Sequence, residues 1–220
     1  MKNSIAIIPA RGGSKSIPKK NIARVGKLSL IERAVILALK SGISEIYVST
    51  DSVEIGSIAV KAGAKVIFRP IELSSDTSST ESAVFHALSQ IKYNKETSIA
   101  LLQATSPFTK WQDLKKAIQI TCSGISFFSA INFHSFLWEN LNNKWIPINH
   151  RKDFRTMKQL MNPTVVETGN FYCFNAIDFY EEGNRFCKES KPFLIDPLTF
   201  FQIDSIEDLK AADRLVTLLN

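Results

Sequence analysis

Cysteine and histidine are scarce in this chain, and neither is spaced to hold a metal. The three cysteines, Cys122, Cys173 and Cys187, are an odd number at spacings that fit neither a zinc ribbon nor a CxxC redox pair. They read as buried or incidental free thiols. The three histidines, His86, His134 and His150, are scattered, and none lies beside a clear nucleophile. No run of five like charges occurs, and many basic residues sit beside acidic ones, so a formal charge of +6 does not by itself indicate nucleic acid. Acidic small substrates account for it equally well. Long apolar runs are missing too: Ile5 to Ala10 is too short for a signal-peptide core or a membrane span, and Pro9 cuts it. A cytoplasmic protein is expected. Internal repeats and low-complexity tracts are also absent.

What is present suits one enzyme-sized unit. With 220 residues and 45% hydrophobic content the chain can bury a sizeable core, and a single domain over 1–220 is expected. Short β-branched apolar runs alternate with helical stripes, the pattern of crossover units that build a mostly parallel sheet in an α/β fold. Strands are expected at Ser4–Pro9, Glu45–Thr50, Lys65–Phe68, Ser98–Gln103, Gly124–Ile131 and Asn170–Phe174. Helices are expected at Leu30–Ser41, Val53–Ala62, Ser79–Gln90, Trp111–Thr121 and Ser205–Leu219, with Gly42 and Gly63 as stops and Asp204 or Ser205 capping the last. Between about 132 and 168 the alternation fails in aromatic, Asn-rich and basic sequence, which reads as an inserted binding loop, lid or dimer contact.

The chemistry concentrates directly after the first strand. Gly12, Gly13 and Ser14 allow backbone N–H groups to approach an anion, and Arg11, Lys15, Lys19 and Lys20 surround the same place with positive charge. This combination points to a nucleotide triphosphate. A Walker A loop is excluded because the glycine pair sits immediately before Ser14-Lys15, without the four-residue arch. A dinucleotide fingerprint is excluded because Pro18 biases the chain toward an extended loop where a helix should open. The plain alternative is a basic surface turn. Other polar clusters also fall at strand ends, where open α/β sheets bind ligands: Ser49-Thr-Asp51, Arg69-Pro70 leading to Ser75-Asp-Thr77, Gln103-Ala-Thr-Ser-Pro107, and Gln202-Ile-Asp204 before the last helix.

Taken in order, Arg11-Gly-Gly-Ser-Lys-Ser-Ile-Pro-Lys-Lys-Asn21, Ser49-Thr-Asp51, Arg69-Pro-Ile-Glu-Leu-Ser-Ser-Asp-Thr77, Gln103-Ala-Thr-Ser-Pro107 and Ile203-Asp-Ser-Ile-Glu-Asp-Leu209 closely resemble the acylneuraminate cytidylyltransferases. The match spans nearly the whole chain. The resemblance implies a Rossmann-like nucleotidyltransferase fold, with the insertion used for dimerisation. It also implies transfer of CMP from CTP to the anomeric hydroxyl of a sialic-acid-like nonulosonic acid, releasing pyrophosphate. Arg11, Lys15, Lys20 and Asp204 are then the expected catalytic residues. The nucleotide contacts are expected from Ala10, Arg11, Gly12, Gly13, Ser14, Lys15, Lys20, Asn21, Arg69, Ser79 and Thr80. Gln103, Arg155 and Tyr172 are the sugar-side candidates, with Arg151 an alternative to Arg155 for the sugar carboxylate. Mg2+ is the expected cofactor and Asp204 its expected ligand, although a helix N-cap is the plain reading of Asp204.

Three positions depart from the resemblance. Gln202 stands where many relatives carry a second acid, His134-Ser-Phe-Leu-Trp138 lacks a lysine, and Thr168-Gly169 replaces Asn-Gly. These lie mostly on the acceptor side. The alternatives are the same reaction on a legionaminic, pseudaminic or eight-carbon ulosonic acid, or a silent nucleotide-binding paralogue. The aromatics Phe133, Phe136, Trp138 and Trp145 fit a subunit interface, or else a stacking platform for nucleic acid. A homodimer acting on CTP and a sugar acid, without nucleic acid or membrane, is the expected arrangement.

Overall fold

Apolar residues on the central strands alternate between two separate clusters. In the computed structural model, which describes all residues except 1, 2, 76, 155, 156, 161 and 220, Ile5 and Ile7 face one cluster while Ala6 and Ile8 face the other. The same alternation places Ile99 and Leu101 against Ala100 and Leu102, and Phe174 against Phe171 and Cys173. Strands buried on both faces require helices on both faces. On one side lie α1 (Leu30–Lys40), α2 (Val53–Ala62), α4 (Trp111–Ile120) and α6 (Ile206–Leu219); on the other lie α3 (Thr80–Ser89) and α5 (Ala176–Glu182).

The chain contains β1 (Ser4–Pro9), β2 (Arg24–Val25), β3 (Leu28–Ser29), β4 (Glu45–Thr50), β5 (Lys65–Phe68), β6 (Ser98–Leu102), β7 (Ile125–Phe133), β8 (Trp138–Leu141), β9 (Lys144–Pro147), β10 (Thr164–Asn175) and β11 (Glu189–Leu194). The main sheet has seven strands in the order β11-β7-β10-β6-β1-β4-β5. All its pairings are parallel except those of β10, which runs against both β6 and β7. A parallel return from β7 would need a crossover long enough to carry the chain back along the sheet. Instead β10 begins opposite the end of β7, with Thr164 beside Phe133.

Helix ends follow local chemistry. Ser29 and Glu32 form a reciprocal capping box on α1, Ser52 and Ser79 cap α2 and α3, and Gly63 closes α2 in the left-handed region at φ 106°. At α6 the cap is Ser205, whose hydroxyl accepts the Asp208 N–H at 3.1 Å while the Asp208 carboxylate accepts the Ser205 N–H at 2.8 Å. The Asp204 side chain is thereby released from capping.

The inserted segment carries structure that its sequence pattern conceals. Within it β8 and β9 form a hairpin, joined by Asn142 and Asn143 at φ 51° and 61°, the left-handed pair that a tight hairpin turn demands. Trp138, Leu141, Trp145 and Ile148 are exposed on this hairpin and the residues flanking it. β10 extends from Thr164 to Asn175 rather than 170–174, and α5 and β11, like β2, β3, β8 and β9, are elements beyond those expected. Cys122, Cys173 and Cys187 are free thiols, the latter two buried. Among the described residues no helix is long and apolar enough to cross a membrane.

Candidate active site

The strand order reverses at β1. The chain steps from β1 out to β4 and β5 on one side and returns to β6 on the other, so the loops after β1 and β6 diverge and open a crevice at their carboxyl ends. A cavity of about 410 Å3 fills that crevice. Arg11, Gly13, Ser14, Lys15, Lys20 and Asn21 line it from the first loop, and Arg69, Ser79 and Thr80 from the opposite wall. A smaller cavity of about 180 Å3 shares Pro9, Asn21, Thr80 and Thr105 with it and adds Gln103.

Each part of the first loop has a local cause. The buried Ala10 continues the sheet pairing by donating its N–H to Ser49 O at 2.9 Å. Gly12 then passes so close to the β4–α2 turn that an added Cβ would lie 3.0 Å from Ser52 Cβ, and its N–H donates to Asp51 Oδ1 at 2.7 Å. A Cβ on Gly13 would meet nothing within 4 Å, so glycine there leaves bare backbone at the cavity wall. The Arg11 carbonyl is held by Asn21 Nδ2 at 2.9 Å, and Arg11 Nη1 donates to Ser75 O at 2.9 Å. Lys19, left-handed at φ 55°, starts a 3-10 turn over Lys20–Ile22. Its ammonium pairs with Glu54 at the surface, whereas Lys20 lines the cavity and reaches Asp204 Oδ1 at 2.9 Å.

Arg69 forms the far wall. Its backbone N–H donates to Thr50 O at 2.8 Å and its Nη1 to Leu73 O at 3.3 Å, while Nε is buried with no hydrogen-bond partner. Burial is the main force lowering its pKa; Asp51 opposes the shift and Arg11 adds to it. Ser79 caps α3 by accepting from Ser82 N at 3.1 Å, and Thr80 opens the helix, lining both cavities.

Comparison with known proteins bears on this geometry directly. Residues 5–135 match a family model described as cytidylyltransferase. The chain belongs to the cytidylyltransferase family. It is 33% identical over 225 aligned residues to a pseudaminic acid cytidylyltransferase of Campylobacter jejuni subsp. jejuni serotype O:23/36, covering 98% of this chain and 96% of the relative. An N-acylneuraminate cytidylyltransferase A of Danio rerio is 34% identical, over 81% of this chain and 42% of that protein. A solved CMP:2-keto-3-deoxy-manno-octonic acid synthetase complexed with CTP shares the fold, with TM-score 0.72, 15% identity and 99% of both chains covered. The protein is accordingly a nucleotidyltransferase of the N-acylneuraminate cytidylyltransferase type.

In this cytidylyltransferase the residues expected on the acceptor side divide. Gln103 lines the smaller cavity. Tyr172 lines neither cavity: its hydroxyl donates to Glu167, and the Arg185 guanidinium lies over its ring at 4.7 Å from the centroid. Burial foremost, then the Glu167 carboxylate, pushes the phenol pKa far upward. Arg155 lies outside the described residues. Arg151 pairs with Asp153 at 2.6 Å on the surface.

The metal question rests on donors. Asp204 is 77% exposed and holds Lys20 through one oxygen, and among the described residues no cluster of three His, Cys, Asp or Glu could bind a metal alone. One exposed carboxylate fits the manner in which Mg2+ binds beside nucleotides, where phosphate oxygens and water complete the shell. Two residues escaped the site assignment from sequence. Asp51 anchors the glycine loop, and Gln202 binds the loop after β6. Both were signalled by their polar motifs, Ser49-Thr-Asp51 and Gln202-Ile-Asp204, and Gln202 also by standing in place of an acid.

Proposed function

We propose that this enzyme transfers CMP from CTP to the anomeric hydroxyl of a sialic-acid-like nonulosonic acid. The anomeric oxygen forms a bond to the α-phosphorus, the bond from that phosphorus to the β-phosphate oxygen breaks, and pyrophosphate and the hydroxyl proton leave. The observation that carries this reading is the cation-lined 410 Å3 cavity walled by the glycine loop at the strand-order switch. Arg11, Lys15 and Lys20 bind the triphosphate and offset the charge that grows on pyrophosphate, and Ser14 with the loop N–H groups adds donors. Arg69, Ser79 and Thr80 face the nucleoside, and Ala10 and Asn21 hold the loop in place.

Asp204 would hold Mg2+ together with phosphate oxygens, and the ion would supply positive charge at the phosphates. The chain's own contribution is to aim that carboxylate: Ser205 takes over the cap, and Lys20 fixes one oxygen. Gln103 and an arginine of the 151–155 stretch are assigned to the sugar acid. The reaction is assigned to the cytoplasm. The exposed Trp138 and Trp145 are assigned to a homodimer contact. Changing both to Glu should convert a dimer to a monomer in sedimentation, and an unchanged sedimentation coefficient would refute the contact.

The full-length correspondence with the Campylobacter protein favours a second acceptor, pseudaminic acid, since the zebrafish relative is matched over 42% of its length only. Pyrophosphate release with CTP and a panel of nonulosonic and eight-carbon acids decides between them. Binding of CTP without release for any acid would refute the transferase reading.

A further inference from the structure

Gln202 is the residue whose chemistry the reaction leaves unused, although it hydrogen-bonds Thr105, which lines both cavities. All its polar atoms are spoken for. Its Oε1 accepts from Thr105 Oγ1 at 2.8 Å, and its Nε2 donates to Ser106 Oγ at 2.7 Å and to Thr168 O at 2.6 Å. The next residue, Ile203, is fully buried and donates its N–H to Thr105 O at 3.0 Å. Two residues on, Asp204 meets Lys20. One short segment therefore ties the loop after β6 to the cationic loop after β1.

Opposite Gln202, β10 bends. Its pairing with β7 shifts register between Glu167 and Tyr172, and Gly169 at the bend has φ 69°. A Cβ on Gly169 would lie 2.9 Å from Gln103 Oε1 and 2.9 Å from Gln202 Nε2. The bare α-carbon is what lets both amides close over the bend. Gln103 is the polar side chain that the smaller cavity does not share with the larger one.

We propose that Gln202 is a positioning residue that fixes the loop after β6 against the bend of β10, where Thr105 lines both cavities, and so aims Gln103 at the acceptor. An amide is required at this position. Thr168 O can only accept, so a carboxylate would set oxygen against oxygen at 2.6 Å and could not supply both donated hydrogen bonds. The acceptor half of this inference rests on the reaction proposed above; the positioning half does not.

Gln202→Glu tests it, with three measurements on the full chain. Amide hydrogen exchange over 103–106 and 168–170 is expected to quicken about tenfold, the effect of losing a buried hydrogen bond. CTP affinity by calorimetry is expected to stay within about threefold, while KM for the sugar acid rises about tenfold. Unchanged exchange, or CTP and acceptor constants moving together, would overturn the proposal. If Gln202→Glu does not fold, Ser106→Ala removes a single partner and is read against the same criteria. Should the wild-type enzyme release no pyrophosphate with any acid, the reaction fails, but the exchange measurement still decides whether Gln202 fixes that loop.

Discussion

Asp204→Asn separates structure from chemistry at one atom. The substitution keeps the shape of the side chain and removes its charge, leaving Lys20, whose side chain is 13% exposed, facing a neutral amide 2.9 Å away. Because Asp204 is itself 77% exposed, the ion pair is largely screened and contributes no more than ~1 kcal/mol to stability. The helix is not weakened, since Ser205 is the cap. For a chain of this length that corresponds to a fall in Tm of at most about 2–4 °C. Activity should respond on another scale: loss of one charged group acting on the reacting phosphates is worth about a hundredfold or more in kcat. Pyrophosphate release under saturating CTP, beside a thermal melt and CTP calorimetry, checks both numbers. Turnover within about threefold of wild type would remove Asp204 from the mechanism. A fall in Tm beyond about 8 °C would show that the carboxylate is structural instead.

Lys15→Ala should weaken CTP binding about tenfold and leave the acceptor KM unchanged; a change confined to the acceptor would refute the loop assignment. Gly169→Ala forces a side chain into the left-handed region and against two amides, so a loss of ~2 kcal/mol or more in urea unfolding is expected, and an unchanged midpoint would disprove the close packing. The Glu32 carboxylate accepts from the Ser29 hydroxyl at 2.6 Å and its N–H at 2.8 Å, and these bonds, the hydroxyl's first, hold its pKa below the usual 4.5. A depressed carboxylate stabilises fully above its unfolded pKa and loses that contribution as pH falls through the folded value. Wild type should therefore keep its stability advantage over Glu32→Gln above about pH 4.5 and lose it as the pH falls below that value; a difference that stays constant on acidification would contradict the capping box.

Much of the frame was legible because its causes are local. The ranges of β1, β4, β5 and α2 follow from continuous apolar runs, a serine cap and a glycine stop, each within a few residues. The missed elements lack such signals. β11 is an edge strand carrying Lys191 and Pro192, residues that a central strand would not tolerate in that density. α5 is seven residues long, too short to show a helical period. The hairpin of β8 and β9 exposes its tryptophans, so its apolar residues do not mark a buried face. Tyr172 shows the opposite limit: its strand was legible, yet the alternation of the strand turns its phenol toward Glu167 and Arg185.

The sequence by itself determined that a glycine-bearing cationic loop follows the first strand and that further polar clusters close the next strands, and from these came the expectation of a nucleotide site there. Backbone approach and charge density are properties of a dozen consecutive residues. The tertiary structure alone decided which partners meet: Asp51 with the Gly12 N–H, Lys20 with Asp204 across 184 positions, and Gln202 with Thr105, Ser106 and Thr168. Those contacts arise because the strand order brings distant loops to one edge of the sheet. No local pattern encodes that convergence.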